Sequence, residues 1–451
     1  MSEPVRPPPV EPKRYQAWGR PGRGTPKRAI PAALFPGEIG ITLPFGAGRS
    51  YGDSCELMGG TLLENRDGAK IHGFDADSGL LTADAGVSLG ALQAAISPGH
   101  VLPVTPGTQF ATLGGAIAND VHGKNHHRRG SFGAHVELIV LRRSDRPGRL
   151  TLTRADALFA ATIGGMGMTG LIESATIRVM PVPSPMIAQG TVRLRNLADY
   201  FARSAEADRA HEYAVAWIDS LASGDSLGRG HLITGDHVDA PAASQRPPRK
   251  WRPAIALTPP VPLLSRLTLR AFNEAYFRRV PANGAHAVVP PQPFFYPLDA
   301  IGDWNRLYGP RGLHQHQSVI PEESAEDAVR EMLRLTQRHR HGSFLTVLKR
   351  LGPSRSPSLI GFARPGITLT LDFPARGAST LALLDELDRI TLEAGGAVNP
   401  YKDRRMSAET FGRSMPRWRE VEALRDPAIL SDFWARTALR LTTRTESERA
   451  A

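Results

Sequence analysis

From residue 211 onward the hydrophobic and polar positions fall into clear periods. HEYAVAWIDS (211–220) alternates, which places Tyr213, Val215, Trp217 and Asp219 on one face of a strand. HQHQSVIP (314–321) alternates in the same way and puts Gln315 and Gln317 side by side. PEESAEDAVREMLRLTQRHRH (321–341) has an acidic first turn and a basic last turn, the polarity a helix dipole favours. SFLTVLKRLG and GITLTLDFP follow as strands, and in the first of them alternation sets Lys349 with Leu345 and Val347. STLALLDELDRITLEAGG is a second helix, closed by glycine. Strands and helices segregated in this way predict an antiparallel sheet covered by helices, an α+β arrangement.

Residues 40–182 have another texture. They are glycine-rich, with short β-like runs such as LLTADAGVSL and LIESATIRVMP between turns, and show no repeat period. PVPSP at 181–185 marks the change, and residues 397–451 carry KDRR followed by mostly helical, arginine-rich sequence.

At 451 residues the chain exceeds one ordinary core, so two domains are expected. No apolar run approaches the ~20 residues of a membrane span. MSEPVRPPPVEPKR at the N-terminus lacks an apolar stretch, so it reads as a disordered tail rather than a standard secretory signal. A cytoplasmic location, or a peripheral one at the inner membrane, is expected. A single cysteine, Cys55, excludes an internal disulfide framework and a cysteine-based zinc site, and fits a reducing compartment.

The net charge of +11 raises nucleic acid as a partner. Arginine outnumbers lysine 48 to 7, however, and the basic residues are scattered, which reads as codon bias; no nucleic-acid partner is expected. One basic run stands apart, RPPRKWR at 246–252, followed by ALTPPVPLL and RLTLRAFNEAYFRRV (266–280). This order of cationic, tryptophan-bearing and apolar segments suits a membrane surface, and equally a surface loop.

Four glycine- or histidine-rich segments could carry chemistry. GGMGMTG (164–170) matches a dinucleotide fingerprint, but β-branched LIESATIRV follows it and no acid stands about 20 residues on, so a glycine turn into a strand is the reading. PFGAGRSYGDS (44–54) frees its backbone to converge on an anion, or simply to turn. In TPGTQFATLGGAIANDVHG (105–123), the run from Thr112 can start a helix whose N–H groups face a phosphate. In NDVHGKNHHRRGSFGAH (119–135), Gly123 interrupts the histidines, and Lys124, Arg128 and Arg129 would repel a cation. No metal is expected there; the segment reads as a polar turn with one inward histidine and a basic rim at 124–129 open to a phosphate or a membrane.

GAGRSYGD, PVTPGTQFATLGGAIANDVHGKNHH, GSFGAHV and GGMGMTGLI together resemble the PCMH-type FAD domain of the vanillyl-alcohol oxidase superfamily. Within it the chain is most similar to the flavoprotein subunits of the decaprenylphosphoryl-β-D-ribose 2′-epimerase family. The likeness runs on through AWGR, YAVAWIDS, FFYPLDAIGDWNRLYGPRG, HQHQSVIP, FLTVLKRLGP, DFP and YKDRRMSAETF, and is poor from about 222 to 290.

The resemblance implies a two-domain α+β fold: an FAD domain from residues 1–183 and 397–451, and an antiparallel-sheet substrate domain from 184–396. It implies oxidation of the 2′-hydroxyl of a polyprenylphosphoryl-β-D-ribose, with a short-chain reductase as the second epimerase subunit. An aldonolactone or alditol oxidase of the same superfamily is the alternative, and a flavin-binding or basic membrane-surface protein without catalysis a third reading.

By motif the resemblance places Gly46, Ala47, Gly48, Arg49, Ser50, Tyr51, Gly52, Asp53 and Ser54 around the FAD. Gly107, Thr112, Leu113, Gly114 and Gly115 follow, then Asn119, Asp120, Val121, His122 and Ile172, with Asn399 where the family has a tyrosine. Tyr51 and Asp53 occupy a loop where some superfamily members tether flavin through histidine, so non-covalent FAD is implied. Lys402 of YKDRR matches the essential active-site lysine, and His122 faces flavin and substrate. Trp217, Gln315, Gln317, Lys349 and Thr370 match substrate-pocket positions; the residues alone also permit core packing for Trp217, a polar sheet face for the glutamines and a snorkelling Lys349. Thr370 stands where other members carry a cysteine that nitroaromatic inhibitors attack. The stretch from Trp18 to Gly46 is shorter than the family's, so one FAD-domain helix is expected to be reduced or missing.

Overall fold

The computed structural model describes residues 15–20, 26–37, 40–239, 253–353 and 355–443. The N-terminal tail to residue 14 and the RPPRKWR run lie outside the described residues.

The second half of the chain builds one eight-stranded antiparallel sheet. Its order is Ala285–Val289, Ile187–Leu194, Gly230–His237, Tyr213–Ile218, Val347–Leu351, Gly366–Pro374, Leu313–Ile320 and Ala397–Val398. GITLTLDFP is buried at all nine positions because it lies inside the sheet and both its faces are covered. Period-two alternation sends Ile367, Leu369, Leu371 and Phe373 under helices Glu322–Arg338 and Ala378–Glu393, against Val329, Met332, Leu383 and Leu387. Thr368, Thr370 and Asp372 point to the opposite face. The same rule puts Gln315 and Gln317 of Leu313–Ile320 on that second face, with Thr370 opposite Gln317.

Several sequence expectations shift in detail. Tyr213–Ile218 is buried at every position, since Ala214, Ala216 and Ile218 meet the helix-side core while Val215 and Trp217 line a cavity. Asp219 has left the strand and pairs with Arg229 at 2.8 Å. Of SFLTVLKRLG only Val347–Leu351 joins the sheet, and the helix after Pro321 stops at Arg338. Gly395, at φ +74°, follows the second helix, as expected of a glycine terminator. Residues 266–280 form helix Arg266–Arg278 and carry exposed Leu267 and Phe272.

The first half holds a five-stranded antiparallel sheet, ordered Ile71–Asp75, Leu80–Asp84, Leu171–Arg178, Val136–Arg142 and Arg149–Leu152. A small parallel sheet pairs Arg28–Pro31 and Thr42–Phe45 with Thr61–Glu64. GGMGMTG leads directly into strand Leu171–Arg178, so it opens no nucleotide-binding helix. Both ends of the chain share one core, in which Phe35, Leu43, Phe45 and Leu62 pack with Met406, Phe411, Trp418, Phe433 and Trp434. Ala397–Val398, by contrast, adds to the edge of the large sheet beside Leu313–Ile320. Among the described residues no helix is long and apolar enough to cross a membrane.

Candidate active site

One cavity of about 800 Å3 opens between the glycine-rich half and the polar face of the large sheet. That volume is at the upper end of the roughly 300–1,000 Å3 typical of ligand and cofactor sites. The GAGRSYGD loop forms its first wall. Gly48 takes φ +61°, a conformation glycine adopts without steric cost, and Gly46, Ala47, Gly48, Arg49, Ser50, Tyr51 and Ser54 all face the cavity. The Arg49 guanidinium sits 4.3 Å from the Trp18 ring centroid and 5.0 Å from that of Phe110.

Two residues of this loop do not line the cavity, contrary to expectation. A Cβ on Gly52 would fall 1.8 Å from the Asp403 carbonyl oxygen, so glycine is needed there for the KDRR segment to dock. Asp53 is buried and accepts hydrogen bonds from Arg436 Nε at 2.7 Å and Nη2 at 3.0 Å. Both tie the loop to the C-terminal segment. Gly52→Ala is therefore expected to cost roughly 1–3 kcal/mol by overpacking, read as a lowered Tm with FAD lost early in the transition.

The second wall is the TPGTQFATLGG segment. Thr112 caps helix Leu113–Ala118, its hydroxyl accepting from the Gly115 N–H at 3.2 Å. The expected use of this helix start as a phosphate cradle is not met. The Leu113 N–H donates to the Val87 carbonyl and the Gly114 N–H to the Ala85 carbonyl, each at 2.8 Å. Leu113 itself belongs to the core, while Gly107, Thr112, Gly114 and Gly115 line the cavity.

Asn119, Asp120, Val121 and His122 continue this wall, with Ile172 beside them. Asp120 adopts φ +41°, and its carboxylate accepts from Ser131 Oγ and the Gly133 N–H, both at 2.8 Å. Its charge is therefore engaged in the fold rather than offered to a ligand. The basic rim expected at 124–129 is also corrected, because the neighbouring 209–212 segment and Phe295 supply acceptors for it. Arg129 pairs with Glu212 at 2.8 Å, Arg128 Nε donates to the His211 carbonyl at 2.7 Å, and Lys124 Nζ to the Phe295 carbonyl at 3.1 Å. His126 is buried, and among the described residues no His, Cys, Asp or Glu cluster is arranged to hold a metal.

The sheet supplies the third wall. Trp217, Gln315, Gln317, Lys349, Thr370, Asn399 and Lys402 all face the cavity. Lys349 Nζ lies 3.2 Å from His122 Nδ1 and 3.2 Å from the Gly123 carbonyl. Gln317 Nε2 lies 3.1 Å from His122 Nε2 and donates to Thr368 Oγ1 at 2.9 Å. Burial brings Lys402 down to about 8, against the opposing pull of Asp372. Burial lifts Asp372 to about 7, although the Gln315 amide and Lys402 favour its charged form. Trp217 packs on Tyr276, with ring centroids 4.6 Å apart, and so is both wall and packing.

Sequence reasoning missed Trp18, Asp372 and the aromatic lobe of Phe272, Tyr276, Phe294 and Phe295, while Lys124, read as part of a basic rim, lines the cavity. The alternation of GITLTLDFP already placed Asp372 on the face of Thr370 and could have flagged it.

The residues fit a flat, elongated cofactor. Two glycine-bearing segments and the polar face of the sheet form the walls, and Ser54 Oγ is buried beside the cavity with no hydrogen-bond partner among the described residues. Comparison with known proteins agrees. Residues 41–140 match the FAD binding domain family. The chain is 36% identical to a decaprenylphosphoryl-β-D-ribose oxidase of Mycolicibacterium smegmatis, over 93% of this chain and 95% of that protein. It is 32% identical to an uncharacterized protein of the mprA 5′ region of Streptomyces coelicolor, over 76% of this chain and 96% of that one. A shorter match, 28% over 34% of this chain and 33% of the relative, is to a D-lactate dehydrogenase of Anaerostipes hadrus. With that extent of identity and a match to the FAD binding domain family, the chain belongs to the decaprenylphosphoryl-β-D-ribose oxidase family and is an FAD-dependent oxidoreductase.

Proposed function

We propose that this protein oxidises the 2′-hydroxyl of a polyprenylphosphoryl-β-D-ribose to the 2′-keto sugar, the first half of an epimerisation to arabinose. The observation that carries the reading is the pairing of two features in one cavity. Lys349, Lys402, Gln315 and Gln317 form a polar end, and Trp217, Phe272, Tyr276, Phe294 and Phe295 form an aromatic lobe. A soluble alditol would need the first feature and not the second. The name of the M. smegmatis relative points the same way.

In this reading residues 1–183 and 397–451 hold FAD and residues 184–396 hold the substrate. FAD, bound without a covalent tether, supplies the two-electron acceptor. Gly46–Tyr51 and Ser54, with Gly107, Thr112, Gly114, Gly115, Asn119–His122 and Ile172, enclose it. Lys402 faces the sugar oxygen and stabilises negative charge as it develops there. Trp217 and the aromatic lobe orient the sugar and the first isoprene units. A ketone at C2′ then needs a reductase, of the short-chain class, to return hydride to the opposite face. Anaerobic titration tests the whole reading: polyprenylphosphoryl-ribose should bleach the bound flavin and lactones or alditols should not, and the reverse pattern would favour the soluble-sugar oxidase.

A lipid-linked substrate must be met at a bilayer. Leu257, Val261, Leu263 and Leu267 are all exposed, within one stretch that leads to Phe272 at the cavity. We take this apolar edge, with Arg266 and Arg270 beside it, as the membrane-facing side. Leu257→Ser with Leu267→Ser should reduce co-sedimentation with anionic vesicles several-fold while leaving the flavin spectrum unchanged; unaltered binding would contradict the assignment.

Thr370 lines the cavity where other family members have a thiol. A threonine hydroxyl without an activating base is a poor nucleophile. Nitroaromatic inhibitors are therefore expected to leave the intact mass unchanged after turnover, and Thr370→Cys to add one inhibitor mass; an adduct on the unaltered protein would refute this.

A further inference from the structure

Lys349 and Lys402 face the same cavity, and their neighbours favour different protonation states: a hydrogen-bond network around Lys349 and the Asp372 carboxylate near Lys402. The chain of constraint starts at the backbone. The Tyr401 N–H donates to Asn399 Oδ1 at 2.9 Å, which fixes that amide's orientation. Asn399 Nδ2 then donates to Gln317 Oε1 at 2.8 Å. This turns the Gln317 NH2 toward Thr368 Oγ1 and toward His122 Nε2 at 3.1 Å, and an amide nitrogen can only donate. His122 Nε2 is therefore an acceptor.

Burial, with Lys402 nearby, holds His122 well below its ordinary range, and an accepting Nε2 likewise requires a neutral ring. A neutral imidazole with an accepting Nε2 carries its proton on Nδ1. That Nδ1–H faces Lys349 Nζ at 3.2 Å. An ammonium has no lone pair to receive it, whereas a free amine has one and can still donate to the Gly123 carbonyl at 3.2 Å. The surroundings agree: burial, then the charges of Lys402 and Lys124, push Lys349 well below the usual lysine range. Lys402 differs because the Asp372 carboxylate opposes its neutralisation. Two lysines in one site are thus driven apart by their neighbours, the usual mark of separate acid–base roles.

We propose that Lys349 stands as a free amine at neutral pH and is the base that removes the hydroxyl proton during oxidation. The assignment of this step rests on the reaction proposed above. The O–H bond breaks, its proton goes to Lys349 Nζ, and its electron pair becomes the second C–O bond of the ketone. The C–H bond breaks at the same carbon and its pair leaves as hydride to FAD. His122, Gln317 and Asn399 act through Lys349 as positioning residues, since they hold the lone pair of Nζ available.

The test uses the holoenzyme labelled with ε-13C lysine, which gives one signal for each of seven lysines. Lys349→Arg identifies the relevant signal by its loss. At pH 7 that signal should have the free-amine shift, and it should move only on acidification, while exposed lysines titrate near roughly 10.4. Lys349→Arg cannot shed its proton, and should slow anaerobic flavin reduction at least about 100-fold with FAD still bound. Asn399→Asp provides the second arm. A carboxylate there turns the Gln317 amide around, so its carbonyl faces His122, the ring proton moves to Nε2, and Lys349 can become an ammonium. The signal should then shift to the ammonium position at pH 7, and flavin reduction should slow about ten-fold or more.

A Lys349 signal titrating with the exposed lysines, or one unmoved by Asn399→Asp, would overturn the proposal. Failure of polyprenylphosphoryl-ribose to reduce the unaltered flavin would overturn the oxidation reading, and it registers separately from the amine signal.

Discussion

Replacing Lys402 by methionine is expected to lower the rate of flavin reduction by about 10²–10³-fold, with the flavin spectrum retained and substrate binding little changed. Lys402 lines the cavity, with its ammonium 5.6 Å from the Tyr51 ring centroid. With cofactor and substrate filling the cavity, water would be displaced, so a positive charge directed at a developing alkoxide would act with little screening. Methionine keeps the length and apolar stem but removes the charge. The interaction lost is one that strengthens only in the transition state, so the effect falls on the chemical step. The pH dependence has a definite sign. Burial brings Lys402 to about 8, so its ammonium is lost as pH rises through that value, and the wild-type rate should decline on the alkaline side. Lys402→Met should lack this decline. Lys402→Arg should not restore activity, because a planar fork does not occupy the place of a point charge.

Arg436→Ala is expected to have the largest effect on stability, roughly 3–5 kcal/mol, with release of FAD. Arg436 donates to both oxygens of Asp53 and to the Met406 carbonyl, and lies 3.5 Å from Asp403. Asp53 and Asp403 are both buried. Removing the guanidinium leaves two carboxylates without their common counter-charge, behind the loop that faces the cofactor. Burial already holds Asp53 above its usual value, and Arg436 is the main influence opposing this. In the variant the folded-state pKa rises further above the unfolded one. The penalty is absent below the unfolded value, where both states are protonated, grows as pH rises from the unfolded value to the folded one, and is complete above it. Denaturant titrations at pH 5 and pH 8 should therefore show the variant closer to wild type at pH 5. An equal deficit at both values would contradict the account.

The large sheet was legible because its two faces are chemically unlike. In GITLTLDFP helix-covered apolar residues alternate with polar ones on the cavity face, and in HQHQSVIP alternation alone set Gln315 and Gln317 together, whereas Thr370 was reached through the family resemblance. The FAD-side loops were legible mainly through motif resemblance. Glycine spacing alone does not separate a residue that touches ligand from one that admits a neighbouring backbone. Gly48 and Gly52 lie in the same loop, yet the first faces the cavity and the second makes room for Asp403. The Leu113–Ala118 helix misled for a related reason, since its first N–H groups are satisfied by Ala85 and Val87, partners more than 20 residues away.

Charge was the least legible property. The basic cluster at 124–129 looked solvent-facing, but Glu212 and the 209–211 carbonyls, brought over by the fold, absorb Arg128 and Arg129. The network from Asn399 through Gln317 and His122 to Lys349 joins four distant stretches of the chain, and no local pattern announces it.

The central claim is that the hydrogen removed as hydride is the one on C2′ of a lipid-linked ribose. Stopped-flow flavin reduction under anaerobic conditions tests this directly, using polyprenylphosphoryl-ribose deuterated singly at C1′, C2′ or C3′. The account predicts slowing several-fold with the C2′ label and none with the others, together with a 2′-keto product. Slowing by the C1′ or C3′ label, or no flavin reduction by any of the three, would contradict it.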